Sequence, residues 1–410
     1  MKINKFLSVN LGVIYSLFSL GLGGEDLGLP SVLTMRTIAL AILIFCFCLV
    51  FVQENNFGIR INQYFYFTII VFILIFMWIL LSYLFSPYQD LVRITDVLAW
   101  LAIPICMLFT SKITKKITLK IFITTIVYSQ FIALSMVYIW SMFNVGDLTN
   151  FLAVRLFIND NLVIGLNRFL NGVMFLNVIS ISIILGIYKS NKVIYLLSLM
   201  NVIFSFYLSF ISGSRQSLVA FLLSVLIVII INRYMKGIKG INFKGIMFTI
   251  IFIILIVNLI QIEGVNRWVE ERFIDKTTEQ FTTGDIRTDI YEDAINDVKE
   301  NLLFGTGPGT YNQVSYLGMA THNGYLYMMN NFGVVPVILL AIFFLSLIFK
   351  GISKKSIITE NKKKETFVVI FSSFLVFIFM NLFNDLITML SFWMAVVIII
   401  DCFDSKTVKY

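Results

Sequence analysis

Long apolar blocks alternate with short polar breaks along the chain, and only one polar break is long. The blocks fall at 6–22, 37–52, 64–85, 91–110, 121–143, 169–188, 193–211, 218–231 and 246–262, then at 324–349, 366–382 and 387–400. A helix needs about 20 apolar residues to cross a bilayer, so the pattern predicts an all-α polytopic membrane protein of about 12 spans. Lys2 and Lys5 ahead of the first block give it the look of a signal peptide. No small-residue cleavage site follows and a second span comes almost at once, which predicts a retained helix. The chain thus divides into spans one to nine (1–262), a long polar segment (263–323) and spans ten to twelve (324–410).

Inside the polar segment, Ile286, Ile290, Ala294, Val298 and Leu302 recur every fourth residue. That stripe predicts a helix of about four turns with one buried face, Asp285 as its N-cap and Gly305 as its stop. Arg287 lies in the first turn, with Tyr291 and Ile295 on its own row. Asp289, Glu292, Asp293, Asp297 and Glu300 fall off the stripe and are expected to face solvent. The turn Gly305-Thr306-Gly307-Pro308-Gly309 follows. With no strand before it and Pro308 interrupting its donors, it reads as a compact reversal and not a nucleotide loop. His322 is the one histidine in the sequence.

Composition sharpens the membrane reading: 59% of residues are apolar and 13% charged, which excludes a soluble domain. Cys46, Cys48, Cys106 and Cys402 sit in or beside apolar blocks without metal-ligand spacing and read as small apolar fillers. With the N-terminus inside, alternate loops collect about two-thirds of the 31 lysines and arginines on the cytoplasmic side. Both termini are then cytoplasmic and the long polar segment external. Inner loops hold mostly lysine and outer loops mostly arginine, a residue whose planar fork grips phosphate or carboxylate through paired hydrogen bonds. Snorkelling of helix-end arginines is the alternative for any one of them. The strongest case is Arg215, in the polar break Ser212-Gly213-Ser214-Arg215-Gln216-Ser217. There a helix start would add free N–H groups and a favourable dipole for an anion. Against this, acids outnumber bases about two to one between Glu263 and Asn323, so an anion site needs those acids turned away.

A Gly-Ser-Arg break between late helices, an external segment with an arginine heading an amphipathic helix into Gly-x-Gly-x-Gly, and His-Asn before the next helix together resemble the O-antigen polymerase and O-antigen ligase superfamily. The resemblance covers roughly 212–333 and rests on Arg215, Arg287 and His322, with Gly305, Gly307, Gly309 and Asn323 beside them. Tyr291 stands where many members have tryptophan. The resemblance implies a GT-C-like membrane glycosyltransferase on the outer face of the bacterial cytoplasmic membrane. It would take a glycan from undecaprenyl diphosphate and pass it to a lipid-linked repeat unit (polymerase) or a lipid core sugar (ligase).

In the chemistry so implied, Arg215 and Arg287 hold the departing diphosphate. His322 takes the acceptor's proton, kept neutral by the nearby arginines, and one direct displacement inverts the anomeric centre. Asn323, Tyr291, Arg272, Arg168 and Arg155 are secondary candidates for glycan or diphosphate contact. No cofactor or metal is expected, and no Asp-x-Asp lies on an outer loop. Membrane lipids, a chain-length regulator and a flippase are the expected partners, and nucleic acid is not. Polymerase is preferred over ligase because polymerases of this kind are numerous in polysaccharide gene clusters, where the Ile, Phe, Asn and Lys bias of this chain is often seen. Glu25-Asp26 and Asn384-Asp385 read as solvated turns, and Arg155, Asp160 and Arg168 as a surface loop or an acceptor groove. A polysaccharide flippase is the competing class, for which internal repeats and mid-membrane polar residues are expected.

Overall fold

The computed structural model describes residues 2–20, 35–54, 63–92, 94–145, 160–211, 215–236, 286–319, 321–353, 361–383 and 386–403. Among them the secondary structure is helical: α1 (Lys2–Leu20), α2 (Met35–Glu54), α3 (Gln63–Phe85), α4 (Ile94–Thr114), α5 (Leu119–Val145), α6 (Asp160–Ile184), α7 (Lys192–Ile211) and α8 (Arg215–Lys236), then α9 (Ile286–Glu300), α10 (Tyr311–Val314), α11 (Gly324–Phe332), α12 (Val334–Ser353), α13 (Asn361–Met380) and α14 (Leu390–Phe403). Seven of these helices are long and apolar enough to cross a membrane, and three shorter ones are also apolar. The chain is an all-α polytopic membrane protein. The expected span at 246–262 and the expected cap Asp285 lie outside the described residues, as do Glu25, Asp26, Asn384 and Asp385.

Burial sorts the helices into centre and rim. α14 is buried along nearly its whole length, including Ser391 to Asp401, as a helix apolar on every side must be if it sits in the middle of a bundle. Its Trp393 meets Phe72 of α3 edge-on at 4.6 Å, and its Phe392 stacks on Phe377 of α13. α6 runs buried through Phe169–Leu185 and packs on α7, α8, α1 and α13. α3 instead leaves Ile70, Ile73, Leu74, Met77, Leu84 and Phe85 exposed, as a helix facing lipid does.

Where α5, α6 and α7 meet, a seam of uncharged polar side chains is wholly buried. Gln130 Nε2 donates to Asn177 Oδ1 at 2.7 Å. Ser180 Oγ and Asn201 Nδ2 both donate to Gln130 Oε1, at 3.1 and 3.3 Å. Ser205 Oγ donates to Asn177 Oδ1 at 3.2 Å. These groups bond mainly to one another, which is how polar side chains tie helices together in a membrane.

Two expectations fail here. The block at 324–349 is not one helix: it breaks at Gly333 (φ 81, ψ −178) into short α11 and long α12. A Cβ on Gly333 would lie 1.8 Å from the Leu303 carbonyl oxygen, so the backbones approach as only glycine allows. Arg168, expected in a loop, is in the first part of α6, which starts at Asp160.

Candidate functional site

α11 begins where His322 sits. Asn323 is its N-cap, with Oδ1 accepting from the Tyr325 and Leu326 backbone N–H groups at 3.0 and 3.1 Å. Buried Thr321 donates from Oγ1 to the Asn323 carbonyl at 3.0 Å. Between them His322 is exposed and takes a left-handed backbone, φ 49. A non-glycine residue in that region needs its neighbours to hold it, and here the cap and Thr321 do so. The oxygen of the Asn323 amide is thus committed to the helix, and only its nitrogen end remains for a ligand.

The same loop is tied to the end of α13. The Gly324 N–H donates to the Asn381 carbonyl at 2.9 Å, and Tyr325 Oη donates to the Ile378 carbonyl at 3.0 Å. Asn381 Oδ1 in turn accepts from the Leu386 N–H at 3.0 Å, closing the turn that leads to α14. Arg215 is the first residue of α8, and the next residue, Gln216, donates from Nε2 to the Phe383 carbonyl at 3.3 Å. One turn, beginning at Asn381, therefore receives both the helix start that bears Arg215 and the loop that bears His322.

Arg287 is carried by a separate helix. It is the second residue of α9, which packs on α11. Their C-terminal ends are joined: the Val334 N–H donates to the Leu302 carbonyl at 3.0 Å and the Thr306 N–H to the Asn330 carbonyl at 2.7 Å. The paired backbones run antiparallel, with 302 opposite 334 and 306 opposite 330. At 1.5 Å per residue α9 rises about 20 Å and α11 about 12 Å. Tyr291, one turn below Arg287, is half-buried. Arg272 and Arg155 lie outside the described residues.

The α9 stripe is shorter than expected, and its acids do not all face water. Ile290 and Ala294 are buried, but Leu302 is 50% exposed. Asp289, Glu292 and Glu300 are exposed. Asp293 and Asp297 turn one oxygen each into the protein, next to the fully buried Tyr311 of α10. The physical reason is Tyr311 itself, an aromatic residue that α10 inserts beneath α9, where the carboxylates flank its hydroxyl. Burial, then Asp293 and Asp297, push the Tyr311 phenol well up. Burial, then Asp293 and Glu300, raise the Asp297 carboxyl.

The glycine-rich turn is held against α3 by one polar row at i, i+4 and i+8. Trp78 Nε1 is shared between the Leu303 and Phe332 carbonyls at 3.2 and 3.1 Å. Ser82 Oγ bridges the Phe304 and Asn331 carbonyls at 2.5 and 2.9 Å, and Ser86 Oγ donates to the Thr306 carbonyl at 2.5 Å. Gly305, Gly307 and Gly309 all have positive φ. A Cβ on Gly307 would be 2.4 Å from Ser86 Oγ. Trp78, Ser82 and Ser86 went unremarked in the sequence, although their four-residue spacing on an apolar helix was there to see. Asn381 carried no such signal.

Residues 200–341 match the family model described as O-antigen ligase. No curated protein matches the chain. The matched segment, about a third of the chain, runs from α7 into α12 and takes in Arg215, Arg287 and His322, and over this region the chain is similar to that family.

Proposed function

We propose that the protein is a polysaccharide polymerase of the cytoplasmic membrane, acting on its outer face. It moves a glycan from undecaprenyl diphosphate to a hydroxyl of a second lipid-linked repeat unit. The observation that carries this reading is the turn that begins at Asn381. It is hydrogen-bonded both to the His322 loop through Gly324 and to the head of the Arg215 helix through Gln216.

The chemistry follows from what must be stabilised. As the acceptor oxygen bonds to the anomeric carbon, the bond from that carbon to the diphosphate oxygen breaks and negative charge gathers on the leaving group. Arg215 and Arg287 supply fixed positive charge to it, and the helix starts that bear them add the positive ends of two dipoles. His322 accepts the acceptor's proton, and displacement from the opposite face inverts the anomeric centre. Asn323 and Tyr291 line the approach, with Arg272, Arg168 and Arg155 as outlying contacts.

The test is Arg215→Ala, Arg287→Ala and His322→Ala, each assayed for glycan length and for the fate of single units. The expected result is normal membrane insertion with single lipid-linked units piling up on the outer face. Wild-type chain length in the His322 variant refutes the assignment, and units trapped on the inner face point to a flippase. Ligation to a lipid core sugar is the second reading, favoured by the description of the matched family. It differs in the acceptor alone, and a ligase variant would accumulate long unattached polymer in place of single units.

A further inference from the structure

The paired backbones 302–307 and 330–334 belong to the stretch between spans, yet their partners on α3 lie well inside it. α3 has 23 residues and rises about 34 Å, a little more than the roughly 30 Å hydrocarbon layer. Trp78 is about two turns, or about 10 Å, before the end of α3 at Phe85. Sharing the surplus length between both ends leaves Trp78 about 8 Å below the hydrocarbon boundary. The Leu303 and Phe332 carbonyls bonded to Trp78 are at that level.

Two other measures agree. α11 starts level with the end of α13, through the Gly324 to Asn381 bond, and its nine residues descend about 12 Å. At the other end of the bundle Lys350 Nζ of α12 sits 4.3 Å from the centre of the Tyr64 ring of α3. The distances from Trp78 to Tyr64 along α3 and from Val334 to Lys350 along α12 are about 21 and about 24 Å. α12 therefore starts at the Trp78 level and not at the membrane surface.

Backbone without a helix ladder is tolerated at such depth only where its polar groups are satisfied. Trp78 and Ser82 donate to the Leu303, Phe304, Asn331 and Phe332 carbonyls. The Thr306, Gly307 and Val334 N–H groups bond across the pair. The side chains of the pair that stay uncovered are apolar: Leu302 is 50% and Leu303 55% exposed, as are Met77 and Leu84 of α3 at 54% and 59%, while Thr306, Asn330 and Asn331 are buried.

We propose that this backbone pair is a re-entrant element held inside the bilayer, and that Leu302 and Leu303 present a surface to lipid acyl chains. The inference rests on depth and exposure and stands apart from the glycosyl-transfer reading. It is tested in the full-length protein with Cys46, Cys48, Cys106 and Cys402 replaced by serine or alanine, reconstituted in phosphatidylethanolamine and phosphatidylglycerol vesicles. A nitroxide is placed in turn at Leu303→Cys, Leu302→Cys and, as the aqueous control, the 92% exposed Tyr316→Cys. Collision with oxygen and with a water-soluble nickel chelate reports depth. The labels at 302 and 303 should relax with oxygen and be at least several-fold less accessible to nickel than the label at 316. Nickel access equal to that at 316 overturns the proposal by putting the turn in water. Shielding from both reagents also overturns it, since that would mean protein, such as a second copy, covers the patch. Brominated acyl chains quenching a bimane label at 303 but not at 316 supply the direct contact.

Discussion

Replacing Gly324 by alanine asks whether the His322 loop works through its geometry. A Cβ at 324 would fall 2.3 Å from Asn381 Oδ1 and 2.6 Å from its Nδ2. Ordinary contact needs more than 3 Å, so something must move by about 1 Å. Asn381 cannot easily yield: it is fully buried, its Oδ1 holds the Leu386 N–H and its carbonyl holds the Gly324 N–H. The displacement therefore passes to the start of α11 and to His322, two residues earlier. Shifting a catalytic group by about 1 Å costs on the order of a hundred-fold in rate. In membrane vesicles Gly324→Ala should lose about that much polymerisation. Its thermal unfolding should fall by only a few degrees, because α11 keeps its cap. Removing the obstacle should restore part of the loss: Gly324→Ala with Asn381→Ala should exceed Gly324→Ala alone, although Asn381→Ala by itself weakens the turn before α14. Such a rescue would show coupling between neighbours that additive effects do not produce. Full activity in Gly324→Ala, or a double variant worse than either single one by the sum of both losses, refutes the reasoning.

Trp78→Phe keeps the ring stacked on Phe304, 5.3 Å between centroids, but leaves two carbonyls without their donor; we expect a loss of about 1–2 kcal/mol in denaturant titration of the detergent-solubilised protein. Ser86→Ala, at the end of the same row nearer the membrane surface, should lose less, and the reverse order would contradict the depth assigned to Trp78. Gly333→Ala meets both a left-handed backbone and the Leu303 carbonyl, so destabilisation of about 3 kcal/mol or more is expected, read as loss of a folded peak in size-exclusion chromatography. Asp297 has its folded-state pKa raised above 3.8, so its proton stabilises the fold below that value and this contribution is lost as pH rises through the folded value. Asp297→Asn should therefore melt higher than wild type at neutral pH, with the gap closing as pH falls toward 4.

How far the sequence carries can be judged residue by residue. Spans followed from hydropathy because lipid demands continuous apolar helix, and the observed α3 and α7 start and stop within about one residue of the expected blocks. The start of α8 at Arg215 was legible from the polar break before it. Gly333 was not, since a glycine amid apolar residues looks the same whether a helix runs through it or breaks at it. Only the carbonyl of Leu303 across the gap distinguishes the two, and that contact spans about thirty residues of chain. Asp293 and Asp297 misled for a related reason: helical periodicity places them off the apolar stripe, but the partner that draws them inward, Tyr311, comes from a separate short helix.

The division into a polar external segment and membrane spans hides a mechanical link between them. α9 and α11 are joined at their lower ends to α3 through Trp78 and Ser82. At its upper end α11 is joined to α13 through Asn381. A loop free in water would need binding energy to be ordered each time substrate arrived, a cost that fixed anchors at both ends remove. On the proposed reading, the re-entrant pair fixes the height of His322 relative to the hydrocarbon boundary, where the head of any lipid-linked donor must stop. That height, and not any one side chain, is what a polyprenyl-linked substrate has in common with every repeat unit it carries. Anchoring to α3 therefore offers a way to accept varied sugars while holding the reacting bond at one level.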